Sequence, residues 1–121
     1  MKTLTVKKLL VPAILATLAS GCADLQKSQS LLDAEKSYSQ ATSDANVLKY
    51  ATPELNAANK TLMSAGIAKN EADMASLAYI ANTQIETAVT KADAQQAHQN
   101  TQILMEEKEQ LIISSVAAKK A

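Results

Sequence analysis

The stretch Lys49-Tyr50-Ala51-Thr52-Pro53-Glu54-Leu55 decides how this chain folds. Proline has no backbone N–H, so it breaks a helix interior but suits the first helical position, where that donor has no partner. It also pushes the preceding residue away from helical geometry. One helix therefore ends near Tyr50-Ala51 and another starts at Thr52-Pro53. Thr52 is placed to cap it, and Glu54 sits at the positive end of its dipole.

Upstream of this break, Leu31, Ala34, Tyr38, Ala41, Ala45 and Leu48 recur at spacings of 3, 4, 3, 4 and 3. That is one stripe of a helix, close to the heptad average. Downstream, Leu55, Ala58, Leu62 and Ala65 repeat the pattern, with Gly66 late in the run and an end near Lys69-Asn70. Asn70 is a strong N-cap, followed by Glu71 and Asp73 in the first turn. The third stripe is Met74, Ala78, Ala81, Ile85, Ala88 and Ala92. No glycine or proline follows Gly66, so this helix can run to Ile113 or beyond, on the order of 65 Å at about 1.5 Å per residue. Its stripe fails over Asp93–Gln102, and large apolar residues return at Ile103, Leu104, Met105, Leu111, Ile112, Ile113 and Val116.

Composition agrees with helix. Roughly one residue in five of the 121 is alanine, with two glycines, two prolines and three aromatic residues, all tyrosine. A sandwich or barrel would be richer in β-branched and aromatic residues and in turn signals. Short connections favour antiparallel neighbours. The expected fold is all-α: an antiparallel, alanine-rich helical hairpin or three-helix bundle with a long C-terminal helix. Alanine lets helices approach closely but buries little area, so such a bundle is marginally stable alone.

The first 21 residues read as an export signal. Lys2, Lys7 and Lys8 form a basic start, and Leu9 to Ala19 form an apolar run too short for a comfortable membrane span. The sequence Leu18-Ala19-Ser20-Gly21-Cys22 resembles a bacterial lipobox, although leucine stands one place further out than usual. The resemblance implies lipidation of Cys22, cleavage before it and acylation of the new amine. Several acyl chains, each CH₂ contributing about 0.8 kcal/mol, make such an anchor effectively permanent. Ordinary signal cleavage after Ala19-Ser20-Gly21, leaving a soluble periplasmic protein, and an uncleaved anchor are the alternatives. By resemblance to enterobacterial sorting rules, Ala23 in place of aspartate implies the outer membrane. The expected organisation is a signal at 1–21, a lipidated tether at 22–29 and a helical domain at 30–121.

The formal charge of the whole chain is zero, with 12 lysines, no arginine and 12 acids. Removing the signal removes three of those lysines and leaves the mature chain mildly acidic. Nucleic-acid binding, which depends on phosphate neutralisation, is therefore not expected. One cysteine excludes an intramolecular disulfide, and one cysteine with one histidine does not suit a structural zinc site.

From Leu31 to Ala94 the chain resembles DUF4398, a family of small bacterial lipoprotein domains without known activity. The resemblance rests on Ala34, Ala41 and Ala45, then Ala51-Thr52-Pro53-Glu54-Leu55, then Ala58, Leu62 and Ala65, and after Asn70-Glu71 on Ala75, Leu77, Ala78, Ala81 and Ala88. The Ala-x-Pro-Glu-Leu element is the most specific part. Longer members continue into an OmpA-like peptidoglycan-binding domain, which uses an aspartate and an arginine. This chain has no arginine, so that activity is not implied. The family supplies no catalytic or ligand residues.

No catalytic arrangement emerges from the residues themselves. His98 lies in a polar helical stretch and reads as a solvated residue. Met63, Met74 and Met105 read as packing residues, and the three tyrosines as rings lodged between helices. No serine has an activating partner, and there is no Gly-rich phosphate loop. The expectation is a non-enzymatic, outer-membrane-anchored lipoprotein without cofactor, metal or small-molecule substrate. Its partners would be the membrane, through Cys22, and an envelope protein or a second copy. The expected contact surface is Ile103, Leu104, Leu111, Ile112 and Val116; packing on the first helix and a frayed tail are its alternatives. The functional alternatives are a self-associating alanine-zipper spacer of the envelope and a soluble periplasmic helical binding protein.

Overall fold

The computed structural model describes residues 25–120; the signal segment and Cys22 lie outside the described residues. Four helices make up the described chain: α1 (Gln29–Ser43), α2 (Ala45–Tyr50), α3 (Thr52–Gly66) and α4 (Glu71–Lys119). No strand occurs among these residues.

Local chemistry sets each start. The Ser28 hydroxyl accepts from Leu31 N at 3.2 Å and caps α1. The Asp44 carboxylate accepts from Asn46 N at 2.8 Å and from Val47 N at 3.4 Å, which ends α1 and begins α2. Asn70 caps α4, its Oδ1 accepting from Asp73 N at 2.8 Å while its Nδ2 donates to Asp73 Oδ2 at 2.6 Å. At the α2–α3 reversal only Ala51 lies between the helices, fully buried, and Pro53 occupies the first turn of α3. Thr52 does not cap as its sequence position suggests. Its hydroxyl donates back to the Leu48 carbonyl, while Ala51 takes the cap position with no side-chain bond.

Three side-chain relationships fix the topology. Ser28 N donates to Met74 Sδ at 3.2 Å, so α1 and α4 start at the same end. The Tyr50 hydroxyl donates to Gln99 Oε1 at 2.6 Å, so α1–α2 runs parallel to α4. Lys91 Nζ donates to Glu54 Oε1 at 2.6 Å, so α3 starts beside the middle of α4 and descends antiparallel to it. The result is an up-down-up bundle, with α1 and α2 together forming the first leg.

Nine of the fifteen buried core residues are alanine; the others are Leu31, Val47, Leu55, Leu62, Met74 and Ile85. No polar or charged residue is buried among those described. The stripes of α3 and α4 face inward at every position expected. That of the first leg does so only to Ala41: Ala45 is exposed and Leu48 is 47% exposed, while Val47 is buried. Each helical residue turns the chain by about 100°. The Asp44 cap resets that count, so Val47 rather than Leu48 meets α4. Of the expected packing residues, Met74 is buried but Met63, Met105 and Tyr79 are at least 65% exposed. Tyr38 and Tyr50 pack against the core with partly buried rings.

Candidate functional site

The core ends at Ala92, but α4 continues without interruption to Lys119. Gln96 and Gln99 are half-buried at the top of the bundle, and every described residue from Asn100 onward is exposed. Beyond Gln99 some 20 residues of helix, about 30 Å, stand free of α1, α2 and α3. Over the whole helix the distance is longer: Met74 and Lys119 are about 68 Å apart along the axis.

This extension carries the expected contact residues, all exposed: Ile103 53%, Leu104 64%, Leu111 70%, Ile112 53% and Val116 48%. They do not pack on α1, and α4 is helical through all of them. Met105 and Ile113 are exposed beside them.

The direction of this apolar surface follows from helix geometry. The core stripe of α4, ending Ile85, Ala88, Ala92, continues along the same face through Gln96, Gln99, Ile103, Glu106, Gln110 and Ala117. The half-burial of Gln96 and Gln99 is the structural trace of that continuation. Leu104, Met105, Leu111, Ile112 and Val116 instead cluster about an arc roughly opposite, about 170° away. Ile103 therefore parts from its companions: it lies on the bundle side, and the other four predicted residues share the outer arc. In α4 the apolar stripe changes faces across the polar stretch from Asp93 to Gln102.

The charges of the extension are also segregated. Glu106, Glu107 and Glu109 stand with Lys108 between the two apolar groups, while Lys119 and Lys120 close the helix. Lys108 and Lys119 fall within the apolar arc, and Glu107 and Glu109 flank it on either side.

Elsewhere the surface offers open clefts. A groove of about 570 Å³ lies at the α1–α2 break, with Val47, Ile85 and Val89 below and Asp44 and Glu86 at its edges. His98 is exposed. Among the described residues no group of three or more His, Cys, Asp or Glu could hold a metal ion, and no helix is long and apolar enough to cross a membrane. Glu54 lies beside Lys91, whose Nζ is 2.6 Å from its Oε1. The hydrogen bond from Lys91 holds its carboxyl below the usual glutamate range, helped by a backbone hydrogen bond and the Lys91 charge and opposed by burial.

The fold and the exposed extension define a small all-helical bundle whose last helix offers an unpaired apolar face. Residues 29–103 match the DUF4398 family, described as a domain of unknown function, and the chain belongs to that family. The match covers the bundle and its polar continuation and ends at Ile103, where the exposed apolar residues begin. No curated protein and no solved structure matches the chain.

Proposed function

We propose that this protein is an outer-membrane-anchored lipoprotein, held through Cys22, whose periplasmic helical domain serves a structural or protein-contact role without catalysis. The observation that carries the contact role is the separation of the two ends. The described chain enters the bundle beside Met74, and the centre of the uncovered apolar arc stands about 57 Å further along α4. With the lipid at the entry end, the arc is held well clear of the membrane that carries the anchor.

Support for the anchor comes from the Leu18–Cys22 sequence and the basic, apolar leader before it. An alanine zipper between chains is less well supported, because Ala34, Ala58, Ala78, Ala81, Ala88 and Ala92 are already buried within one chain's own bundle.

Metabolic labelling with a fatty acid, with Cys22→Ser as control, tests the anchor. Label on the wild type and none on the variant is expected; an unlabelled wild type ends the lipoprotein reading. A photocrosslinking scan from Leu104 to Val116 in cells tests the contact role. Adducts are expected at the outer arc, and their absence at every position would remove that role.

A further inference from the structure

We infer that the entry end of the bundle makes a second contact with the membrane: a collar of exposed apolar side chains seats on the zwitterionic surface of the bilayer that holds the Cys22 anchor. This rests on the anchor proposed above and adds the protein surface that meets the same membrane; it does not involve the outer arc.

The apolar exposure of the bundle is unevenly placed. Before residue 100, seven large apolar side chains are exposed, and six of them, Leu25, Leu32, Met63, Ile67, Tyr79 and Ile80, belong to the end where the described chain enters; Leu48 is the seventh. Ile67, 82% exposed, is the most open large apolar residue among those described. Register sets their height. Ser30, Asp33 and Ala34 share a groove with Ala78 and Tyr79, so Leu32 lies about level with Leu77. Glu54 and Ala57 of α3 share a small cleft with Gln84 and Thr87 of the antiparallel α4, so Met63 and Ile67 lie about level with Ala78 and Met74. With Tyr79 and Ile80, these residues fit within about 9 Å along the bundle axis. All three helices at that level contribute, and Tyr79 and Ile80 are about 100° apart around α4. The apolar groups are therefore spread round the end rather than gathered on one side.

Three features fit a bilayer. The tether is short: Cys22 is six residues before Ser28, which donates to Met74 Sδ, so the collar is held within about 20 Å of the lipid and at high local concentration. The depth of the collar matches the roughly 5–10 Å by which apolar faces of surface-bound segments enter the boundary between headgroups and acyl chains, and tyrosine suits that boundary. Ser28 and Asn70 cap the two helix starts at this end, which leaves fewer backbone donors for the interface to satisfy. Charge does not supply the attraction. Lys27 and Lys69 are outnumbered by Asp33, Glu35, Glu71 and Asp73, and Lys36 and Lys60 at the upper rim only bring the sum to zero. The matching surface is therefore zwitterionic rather than anionic, and apolar contact holds it. A collar seated all round keeps the bundle axis, and with it α4, upright on the membrane.

Lipidation consumes the Cys22 thiol, so a cysteine added elsewhere is the one free thiol of the full-length lipoprotein. Ile67→Cys is compared with Leu48→Cys, about 35 Å further up the bundle. Each carries an NBD fluorophore and is reconstituted in phosphatidylcholine vesicles, with and without a doxyl-labelled phosphatidylcholine as quencher. Circular dichroism checks that both variants stay helical, and flotation with the vesicles checks that they are anchored. The label at 67 is expected to lose at least about half of its emission and the label at 48 less than about a tenth, and added salt should change neither. Anchored protein that is unquenched at 67 would overturn the collar contact and leave the anchor standing. Equal quenching at 48 and 67 would overturn the upright collar, because the bundle would then lie along the surface. A label at 67 that is unquenched but blue-shifted relative to the same label on the Cys22→Ser chain would mean that a second copy covers the collar, which also overturns the bilayer as its occupant. Loss of quenching in high salt would overturn the apolar contact. An unlabelled wild type in the fatty-acid experiment would remove the anchor and the collar contact with it.

Discussion

The Tyr50 hydroxyl donates to the side-chain oxygen of Gln99 across 2.6 Å, and this bond marks where α4 leaves the bundle. Tyr50 closes the first leg, one residue before the Ala51 reversal, and Gln99 lies on the face that the α4 core stripe would continue. Beyond Gln99 that face is no longer covered.

Tyr50→Phe should lower the stability of the bundle by about 0.5–1.5 kcal/mol, the usual net worth of one hydrogen bond. The Lys49 ammonium lies 4.8 Å from the centre of the Tyr50 ring, and phenylalanine keeps that contact. Urea unfolding followed by circular dichroism would measure the hydrogen bond with little else changed.

Truncation after Thr101 should leave the bundle's urea-unfolding free energy within about 0.5 kcal/mol of the full chain when measured on dilute protein, because every residue removed is exposed. Hydrogen exchange on the full chain should show fast amides beyond residue 101 and the slowest ones around Ala78, Ala81 and Ile85.

Acid should weaken the Glu54–Lys91 link. The folded Glu54 carboxyl titrates below its unfolded value, so the unfolded state binds more protons in the interval between them. The contribution is complete at neutral pH and is lost as pH falls from about 4.3, the ordinary glutamate value, through the folded one. Glu54→Gln should lower stability at pH 7 and flatten this part of the acid limb; thermal melts across the pH range would check both.

Gly66→Ala should stabilise the protein by about 0.4–1 kcal/mol. Gly66 is the last residue of α3, does not adopt positive φ, and an added Cβ meets nothing within 4 Å. The gain comes from a less flexible unfolded chain, and a rise in melting temperature of a few degrees would register it.

Ala81→Leu should cost about 1–3 kcal/mol by forcing closely packed helices apart, since Ala81 has no exposed surface. Leu104→Ala, which removes a larger group from an exposed position, should change bundle stability by no more than about 0.5 kcal/mol. Comparing the two melts separates core from contact surface.

Much of this architecture is legible in the residues taken in order. Pro53 and Asn70 place two of the breaks because proline geometry and side-chain capping act within a few residues. The alanine stripes of α3 and α4 mark the inward faces because helical periodicity is local. The same periodicity misleads at Ala45 and Leu48. Asp44 can equally sit within a helix or cap one, and only the packing of Val47 against α4 selects the cap.

Sequence by itself determined that the chain is helical, where it reverses at Ala51 and Asn70, and that large apolar residues return after Gln102. Tertiary structure alone decided that those residues lie beyond the reach of α1, α2 and α3, because the first leg ends at Tyr50, level with Gln99. The physical reason is that residue type sets local conformation. Which face of a long helix is covered depends instead on rotation accumulated over many turns and on where the neighbouring helices end.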